Sequence, residues 1–450
     1  MTANLDDGVR AWINANIGEV VSFDRQQRWR PAWFVVARQQ DRLLRLYVRG
    51  NREGFGFMDV SREAAVLKVM EAQSIPVPHI YGLLDGGQAV VMDWLPGEPD
   101  LSAVDNEEEI DAVMDSYVDA LVRAHRIDLR AFEAVGMSVP ATPEAIALDY
   151  FETFVSRYRE FKKRPEPLLE FAIGWLHRNT PQHRGEPRFV LGDSGQFMFA
   201  DRGITGILDV ELAHVGDVCH DLGGLRLRNA TEPMGDLGRV LRRYEHVSGE
   251  SLDLQAIEFH TAKFALCTPL GLVIALHLDL PLPEILQYIE WFHQLSLHAI
   301  ESIAQQARVD LDAASLPEPA AVGYAGVSDG LPAMIESLDV CDGIAEYQRG
   351  TIASVARFCD RVSRFHTGIV TADLDDMQGI LGFRPADGPS GDAALEAFIA
   401  DAGPEHDAVL IKLLHRRVMR QMLLLEPVLA APGGIGHLTA LTELLTRPDG

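Results

Sequence analysis

Residues 188–209 read RFVLGDSGQFMFADRGITGILD, and this stretch determines the fold that we expect for the chain. Phe197 to Ala200 and Ile204 to Leu208 are short apolar runs typical of strands, and an Asp-Arg-Gly turn lies between them. The stretch therefore predicts a β-hairpin. Asp193 precedes the first strand and Asp209 ends the second, so the hairpin brings these two carboxylates close together in space.

Two carboxylates in this arrangement suit phosphoryl transfer. One takes the proton of the acceptor hydroxyl, and the other holds Mg²⁺ against the phosphates of a nucleotide. Asp193 has an alternative interpretation, because an Asp-Ser-Gly sequence is also common in turns that cap helices. We prefer the functional interpretation, since the hairpin and Asp209 follow it directly.

The hairpin and its flanks resemble the catalytic segment of the aminoglycoside phosphotransferase-like family. Members of that family have a kinase fold and phosphorylate small molecules; their sequences contain His-Gly-Asp, a metal-binding Asn, a hairpin, and Ile-Asp-Trp-Glu-x-Ala-x-x-Gly-Asp. Gly192-Asp193 matches the first motif, and residues 208–217, LDVELAHVGD, match the last. The resemblance implies that Asp193 is the catalytic base and that Asp209 is a magnesium ligand.

Two positions depart from the family pattern. Leu191 stands where the family has His. Counting five residues on from Asp193 to the family's Asn gives Met198, whose thioether is a poor ligand for Mg²⁺. Alignment on the Phe-x-Phe strand gives Gln196 instead, with a loop two residues shorter. We prefer Gln196 as the metal ligand, because this alignment keeps the hairpin length and an amide offers a carbonyl oxygen.

Several polar residues follow Asp209. We expect Glu211, Asp217 and Asp221 to cap and brace the helix that comes next. The same region, with His214 and His220, permits an alternative interpretation as a zinc cluster. That alternative is weaker, because no further ligand spacing lies nearby.

The first 97 residues predict a small antiparallel sheet with one inserted helix. Apolar runs between residues 19 and 50 predict strands, and apolar residues at every third position predict a helix from about Ser61 to Gln73. A second hairpin spans His79 to Trp94, and helical periodicity dominates from Glu107 onwards. This is the order of the two lobes of a kinase fold.

The resemblance extends to residues that bind the nucleotide. Glu63 lies in an Arg-Glu helix like that of the family, so it would hold a strand cation on the nucleotide phosphates. Arg49 is the best match for that cation, and Arg45 is a weaker one. The segment VMDWLPG resembles the hinge between the lobes and implies that Met92 and Trp94 contact the nucleotide, which is ATP or GTP.

No G-x-G-x-x-G motif occurs in the first hairpin, where a phosphate-covering loop would lie. Residues 22–33 occupy that position and contain Arg25, Arg28 and Arg30, whose charges could replace glycine amides. The alternative is a solvated basic turn with Trp29 and Trp33 packed underneath. The sequence leaves both interpretations open.

We expect three parts along the chain. These are a nucleotide-binding lobe at residues 1–97, a catalytic and substrate lobe at 98–312, and a helical extension at 333–450. Residues 313–332 contain several prolines and glycines and predict a linker. The resemblance covers about residues 20–310. The expected fold class is therefore α+β, a protein-kinase-like two-lobed fold with an all-helical C-terminal extension.

Composition limits the partners and the compartment. The 450 residues carry a net charge of −26, which makes nucleic acid an improbable partner because a basic surface is expected of one. The four cysteines form no C-x-x-C motif and indicate a reducing compartment. The first ten residues have no apolar core segment, so we expect no signal peptide there. The apolar run from Phe264 to Leu280 is interrupted and predicts a buried helix. We therefore expect a cytoplasmic protein without membrane spans.

The resulting functional hypothesis is a phosphotransferase that moves the γ-phosphoryl group of ATP or GTP to a hydroxyl of a small molecule, with Mg²⁺ as cofactor. Family substrates include hydroxylated antibiotics, choline-like alcohols, sugars and hydroxyacyl groups, and the sequence does not distinguish them. The alternative is a degenerate kinase fold that serves as a binding or scaffolding module. Leu191 and the shortened catalytic loop motivate it. The sequence predicts no oligomeric state.

Overall fold

The computed structural model describes residues 2–26, 30–51, 59–232, 234–277, 284–321, 323, 325–341, 343–428 and 434–446. The chain forms two compact units. Unit 1 consists of Met1–Ile146, Arg184–Leu252 and Leu444–Gly450, and unit 2 consists of Ala147–His183 and Asp253–Glu443. The three parts expected from the sequence stay a prediction.

Among the described residues, the strands all lie in unit 1. They are β1 (Glu19–Arg25), β2 (Ala32–Gln39), β3 (Arg42–Gly50), β4 (Ile80–Leu83), β5 (Ala89–Asp93), β6 (Arg188–Val190), β7 (Phe197–Ala200), β8 (Gly203–Ile207) and β9 (His214–Gly216). β1 to β5 form one antiparallel sheet in the order β1-β2-β3-β5-β4, while β6 pairs with β9 and β7 pairs with β8.

Helices occupy most of the remaining chain. They are α1 (Thr2–Asn16), α2 (Val60–Ala72), α3 (Glu107–His125), α4 (Arg130–Glu133), α5 (Pro143–Phe161), α6 (Pro167–Arg178), α7 (Cys219–Asn229), α8 (Leu237–Ser248), α9 (Leu254–His277), α10 (Ile285–Ala307), α11 (Ala325–Glu336), α12 (Gly343–Leu381), α13 (Gly388–Asp401), α14 (Asp407–Leu425) and α15 (Leu441–Thr446).

The five-stranded sheet has two different faces because successive side chains of a strand alternate. Leu46 and Val48 of β3 lie on one face, in a buried apolar cluster with Val9 and Ile13 of α1. Arg49 has the opposite parity and lies on the other face. The sequence interpretation did not include α1, although α1 completes the core of this sheet.

Helix α2 lies where the apolar spacing predicts it. The Asp59 side chain caps its N-terminus by accepting a hydrogen bond from the Ser61 amide at 2.9 Å. The repeating apolar residues Ala64, Leu67 and Met70 are buried. Glu63 is also buried, at 1% exposure, because it forms an ion pair with β3.

The predicted hairpin is present, and the segment after β5 pairs with it. Phe197 of β7 lies opposite Ile207 of β8. On the other side of β7, Glu98 and Phe199 exchange two backbone hydrogen bonds of 2.9 and 3.0 Å. Gly97 makes this pairing possible: its φ is 103°, and a Cβ there would lie 1.9 Å from the Phe199 carbonyl oxygen.

We expect Gly97→Ala to destabilise unit 1 by about 2 kcal/mol or more, because an L-residue at positive φ is strained and its Cβ collides with backbone. Chemical denaturation of the full chain measures the loss. Gly8→Ala on α1 is the matched control, since nothing lies within 4 Å of the added Cβ. Equal stability of the two variants would contradict the prediction.

Unit 2 is helical in the part of the chain that the structure describes. α9 is long and apolar enough to span a membrane by composition, but 78% of its most apolar window is buried inside the protein, as expected of a core helix. α9 packs on α10, and α14 packs on both α10 and α12. The sequence predicts a linker at 313–332, yet α11 begins at Ala325. Apolar residues at helical spacing outweigh the glycines and Pro332 there.

Candidate active site

The two carboxylates that define the hypothesis lie at the base of the β7–β8 hairpin. Asp193 is in the loop between β6 and β7, and Gln196 directly precedes β7. Asp209 follows β8 and adopts the left-handed backbone conformation, with φ at 55°. Aspartate tolerates that conformation better than most residues do. All three side chains belong to unit 1.

Arg49 joins Asp209 to α2. One guanidinium nitrogen, Nη1, donates to Glu63 Oε1 at 2.6 Å, and Nη2 donates to Asp209 Oδ1 at 2.6 Å. Nη2 also lies 3.3 Å from Oε2 of Glu211, which accepts a hydrogen bond from Arg30 at 2.7 Å. These five side chains form one ionic cluster.

The cluster contains three carboxylates and two guanidinium groups. Burial opposes the charge of Arg49, but Asp209 and Glu63 more than offset it and hold the pKa of Arg49 above its usual range. Burial raises the pKa of Glu63, and the contact with Arg49 opposes that rise. If all five groups are ionised, the cluster has one excess negative charge, which favours a bound cation.

Asp193 is held by two neighbours. Its Oδ1 accepts a hydrogen bond of 2.6 Å from Nη2 of Arg228, and its Oδ2 accepts one from the side-chain amide of Gln196. Burial raises the pKa of Asp193, while Arg228 lowers it and the charge of Asp209 raises it further. The structure thus brings Gln196 to the carboxylate of Asp193. Met198, the rejected alternative, lies within strand β7.

Helix α7 holds the loop that carries Asp193 in place. The Asp221 carboxylate, fully buried, accepts hydrogen bonds from the amides of Leu191 at 2.8 Å and Gly192 at 3.0 Å. His125 of α3 contacts the same carboxylate at 2.9 Å. His220 Nε2 donates to the Gly192 carbonyl oxygen at 2.9 Å. The loop is therefore ordered although Leu191 replaces the family's His.

A second set of contacts fixes the turn after Asp193. The hydroxyl of Tyr117 lies 2.7 Å from Ser194 Oγ and accepts a hydrogen bond from the Gly195 amide at 2.7 Å. Burial raises the pKa of Tyr117, so its proton is retained. The Ser194 hydroxyl is therefore held by Tyr117, which is a residue of α3.

The predicted hinge residues lie beside an aromatic group on the same sheet face as Arg49. Tyr47 of β3 lies opposite Met92 of β5 in the register, and Phe34 stacks on Trp94 with ring centroids 4.2 Å apart. Arg45, the weaker candidate for the phosphate cation, places its guanidinium 3.8 Å from the Trp94 ring centroid. Arg49, and not Arg45, contacts Glu63.

The structure describes part of the predicted basic turn. Arg28 and Trp29 lie outside the described residues. Arg30 is 1% exposed, because it donates to the Gly50 carbonyl oxygen and to the ionic cluster. Trp33 is buried in the sheet core, and Arg25 forms an ion pair with an aspartate of α1. The described part thus favours the interpretation in which Trp33 packs underneath.

The residues after Asp209 have three separate roles. Asp217 directly precedes the N-cap residue of α7 and accepts a hydrogen bond from the Cys219 amide at 3.0 Å. Asp221 holds the loop that carries Asp193. Glu211 was expected at the same helix but pairs with arginines instead. Among the described residues, no group of three or more His, Cys, Asp or Glu side chains is placed to hold a metal ion. The zinc alternative therefore has no structural support.

Sequence reasoning missed Arg228 and Tyr117. A signal for Arg228 was present: it lies seven residues, or about two helical turns, after Asp221. Both side chains therefore lie on one face of α7, and that face contacts the loop that carries Asp193. No sequence feature distinguishes Tyr117 from the other residues on the apolar face of α3.

Comparisons with known proteins identify the family and the fold of the chain. The model of the phosphotransferase enzyme family matches residues 26–264, which is more than half of the chain. A search of curated proteins finds no match. Among solved structures, a protein assigned as an aminoglycoside phosphotransferase from Ralstonia eutropha JMP134 is 18% identical, with a TM-score of 0.50, and the match covers 67% of this chain and 98% of that one.

Two other solved structures are similar at lower scores. Macrolide 2'-phosphotransferase MphH from Brachybacterium faecium is 18% identical, with a TM-score of 0.45 over 60% of this chain and 92% of its own. A thermostable mutant of APH(4)-Ia, in complex with AMP-PNP and hygromycin B, is 14% identical, with a TM-score of 0.48 over 64% of this chain and 97% of its own. The Ralstonia structure confirms the expected fold class, α+β and kinase-like, with further C-terminal helices.

Proposed function

The chain belongs to the phosphotransferase enzyme family, and from this premise we propose that it transfers the γ-phosphoryl group of ATP or GTP to a hydroxyl group of a small molecule. The observation that carries the proposal is the position of Arg49, which contacts Glu63 of α2 and Asp209 after β8 at 2.6 Å each. This arrangement supports the proposal, because phosphoryl transfer needs a cation at the phosphates, a carboxylate that holds it and a metal-binding carboxylate close to one another, and we assign these roles to Arg49, Glu63 and Asp209.

Asp193 is the proposed catalytic base. Its carboxylate accepts one hydrogen bond on each oxygen, and a carboxylate has about four acceptor positions, so it retains capacity for the acceptor hydroxyl. Arg228 and Gln196 fix its orientation before the substrate arrives. Positioning of this kind, and not covalent chemistry, supplies most of the rate in phosphoryl transfer.

Mg²⁺ fits the donors that this chain offers. Asp209 provides a carboxylate, and Gln196, whose amide nitrogen donates to Asp193, retains its carbonyl oxygen. Both are hard oxygen ligands, and one or two of them suffice for Mg²⁺ because the ion keeps waters and phosphate oxygens as its other ligands. When bound, Mg²⁺ would neutralise the negative charge that develops on the phosphoryl group of the nucleotide during transfer.

The nucleotide base is proposed to bind on the sheet face that carries Arg49. Tyr47 and Met92 lie there opposite each other on β3 and β5, and Trp94 directly follows β5. Aromatic and thioether side chains suit a flat heterocycle. The proposed compartment is the cytoplasm, and the charge of −26 supports a small cationic or neutral acceptor over nucleic acid.

The decisive experiment measures nucleotide binding and turnover with the full chain. We expect ATP or GTP with Mg²⁺ to raise the unfolding temperature, since a ligand at 100 times its Kd stabilises by about 2.7 kcal/mol. The shift should fall when EDTA removes the metal. A library of small hydroxylated metabolites, screened for nucleotide-dependent phosphorylation, then identifies the acceptor. No shift with either nucleotide at saturating concentration would contradict the proposal.

A second candidate function is a binding module without turnover. The observation that favours it is the double engagement of Asp193, whose two oxygens both accept hydrogen bonds from the protein. Nucleotide binding without phosphoryl transfer to any acceptor or to water would support this module. Transfer to any acceptor would exclude it.

A further inference from the structure

Arg62 lies in the first turn of α2, directly before Glu63, and is not one of the five side chains of the ionic cluster. Its guanidinium donates instead to two backbone carbonyl oxygens of one short segment. Nη1 donates to the carbonyl of Glu211 at 3.1 Å, and Nη2 donates to that of Ala213 at 2.5 Å. All of these residues belong to unit 1. One side chain of α2 therefore holds the backbone two and four residues after Asp209.

The chain between Asp209 and β9 is a tight turn that needs an anchor. Asp209 has a left-handed backbone conformation, with φ at 55°, and such conformations persist where surrounding contacts hold the chain. Val210–Leu212 is a single 3₁₀ turn, closed by a hydrogen bond of 3.1 Å from the Ala213 amide. The pairing of β9 with β6 begins at His214. The carbonyl groups before that pairing accept from Arg62, as buried backbone groups require a partner.

The two acceptors suit the shape of a guanidinium group. Arginine presents its donors in a rigid planar fork, whereas a lysine ammonium is a point charge on a flexible stem. Arg62 is also partly buried, which strengthens its hydrogen bonds relative to bonds in water. Its backbone is fixed, because it lies in the helical turn that Asp59 caps. Arg62 therefore fixes the orientation of the turn as well as its distance from α2.

The same turn lies against the loop that carries Asp193. Gly192 of that loop has a φ of 89°, and a Cβ there would lie 2.3 Å from the carbonyl oxygen of Leu212. Leu212 stands between the two residues whose carbonyl groups Arg62 holds. The turn is thus packed against one loop and hydrogen-bonded to α2, and its position depends on both contacts.

We propose that Arg62 is a positioning residue for the metal site. By holding the carbonyl groups of Glu211 and Ala213, it fixes the backbone from which Asp209 presents its carboxylate to Mg²⁺. This inference rests on the proposed function, in which Asp209 is the metal ligand. Glu63 acts on the Asp209 side chain through an arginine, whereas Arg62 acts on the backbone that follows it, so the two neighbours on α2 have separate effects.

Titration of Mg²⁺ at a fixed concentration of ATP, or of GTP if only GTP binds, tests the proposal with the full chain. Arg62→Met keeps the apolar stem and removes both donors. We expect the half-saturating Mg²⁺ concentration to rise about 10-fold or more, as is typical when a residue that orients a metal ligand is replaced. The nucleotide dissociation constant at saturating Mg²⁺ should stay within about twofold, and a general loss of structure would not give this separation. Arg62→Lys should give an intermediate shift, because an ammonium lacks the fork.

The matched control is Arg361→Met on α12. Arg361 also donates to two backbone carbonyl oxygens, those of Leu424 at 2.6 Å and Leu423 at 3.0 Å. It lies beyond the segment that the family model matches, which ends at residue 264. Its replacement therefore reports the cost of losing such a pair of hydrogen bonds elsewhere in the chain. We expect the wild-type Mg²⁺ response from it.

Amide hydrogen exchange of the free chain gives a second measurement, which needs neither nucleotide nor metal. Exchange at residues 209–213 should be faster in Arg62→Met than in the wild type, while residues 197–207 of the hairpin keep their rates. An unchanged rate at 209–213 overturns the proposal, and so does a folded Arg62→Met with the wild-type Mg²⁺ response. If Arg62→Met does not fold, the same two results with Arg62→Lys overturn it. A wild-type chain that binds no nucleotide contradicts the proposed function instead, and the exchange rates then show by themselves whether Arg62 fixes the turn.

Discussion

Asp193→Asn should lower turnover by about 10³-fold and leave the nucleotide dissociation constant within about twofold, since general bases contribute 10²–10⁴ to rate. Asparagine has the same shape and can still accept from Arg228, but it cannot take the proton of the acceptor hydroxyl. Isothermal titration with nucleotide and Mg²⁺, followed by steady-state kinetics with the acceptor from the screen, measures both quantities.

The matched control for Asp193→Asn is Glu232→Gln. Glu232 accepts from the other terminal nitrogen of Arg228 at 2.7 Å and is exposed, so its loss perturbs the same arginine without touching the base. We expect near wild-type turnover from it. Equal losses of binding and turnover in Asp193→Asn would contradict the assigned role.

The pH profile gives a further measurement of the same role. Asp193 must be ionised to act as a base, and burial raises its pKa. The value of kcat/KM should therefore fall as the pH decreases through a pKa higher than that of an ordinary aspartate, which is about 3.9. An acid limb at or below the ordinary value would show that another group is the base.

The sequence predicts this fold well where periodicity and turn chemistry act locally. The bounds of α3 and of β7 agree with the apolar runs, and α2 lies within one residue of its predicted range at both ends. α11 is different, because the prolines and glycines of residues 313–332 predicted a linker there. Val327, Leu331 and Met334 follow one another at helical spacing, so the signal for a helix was present but was outweighed.

Contacts between residues that are far apart in the sequence limit how much of the candidate site can be predicted. The sequence places Asp193, Gln196 and Asp209 on one hairpin, and pairs Arg49 with Glu63 only through the family resemblance. The hydrogen bonds from the loop amides to Asp221 and the ion pair between Arg228 and Asp193 both depend on where α7 packs. No local pattern in a single sequence predicts that packing position. A carboxylate on a helix looks the same whether it caps that helix or holds a distant loop.

Asp209→Asn should abolish the Mg²⁺ dependence of nucleotide binding and lower turnover by roughly 10³-fold, because a catalytic metal supplies several kcal/mol of charge stabilisation. The fold should survive: asparagine tolerates the left-handed conformation at φ 55°, and Arg49 keeps its contact with Glu63. The ionic cluster also loses its excess negative charge, so the free chain should change in stability by less than about 1 kcal/mol.

The matched control is Asp201→Asn at the other end of the same hairpin. Asp201 has the same φ of 55° but is exposed in the β7–β8 turn, so it reports the cost of the substitution in this backbone conformation without a metal ligand. We expect wild-type binding and turnover from it. Titration of Mg²⁺ at fixed nucleotide separates the two variants. If Asp209→Asn keeps the wild-type Mg²⁺ response, the metal ligand lies elsewhere. Gln196 alone would not explain such a response, because a neutral amide does not compensate the charge of the ion.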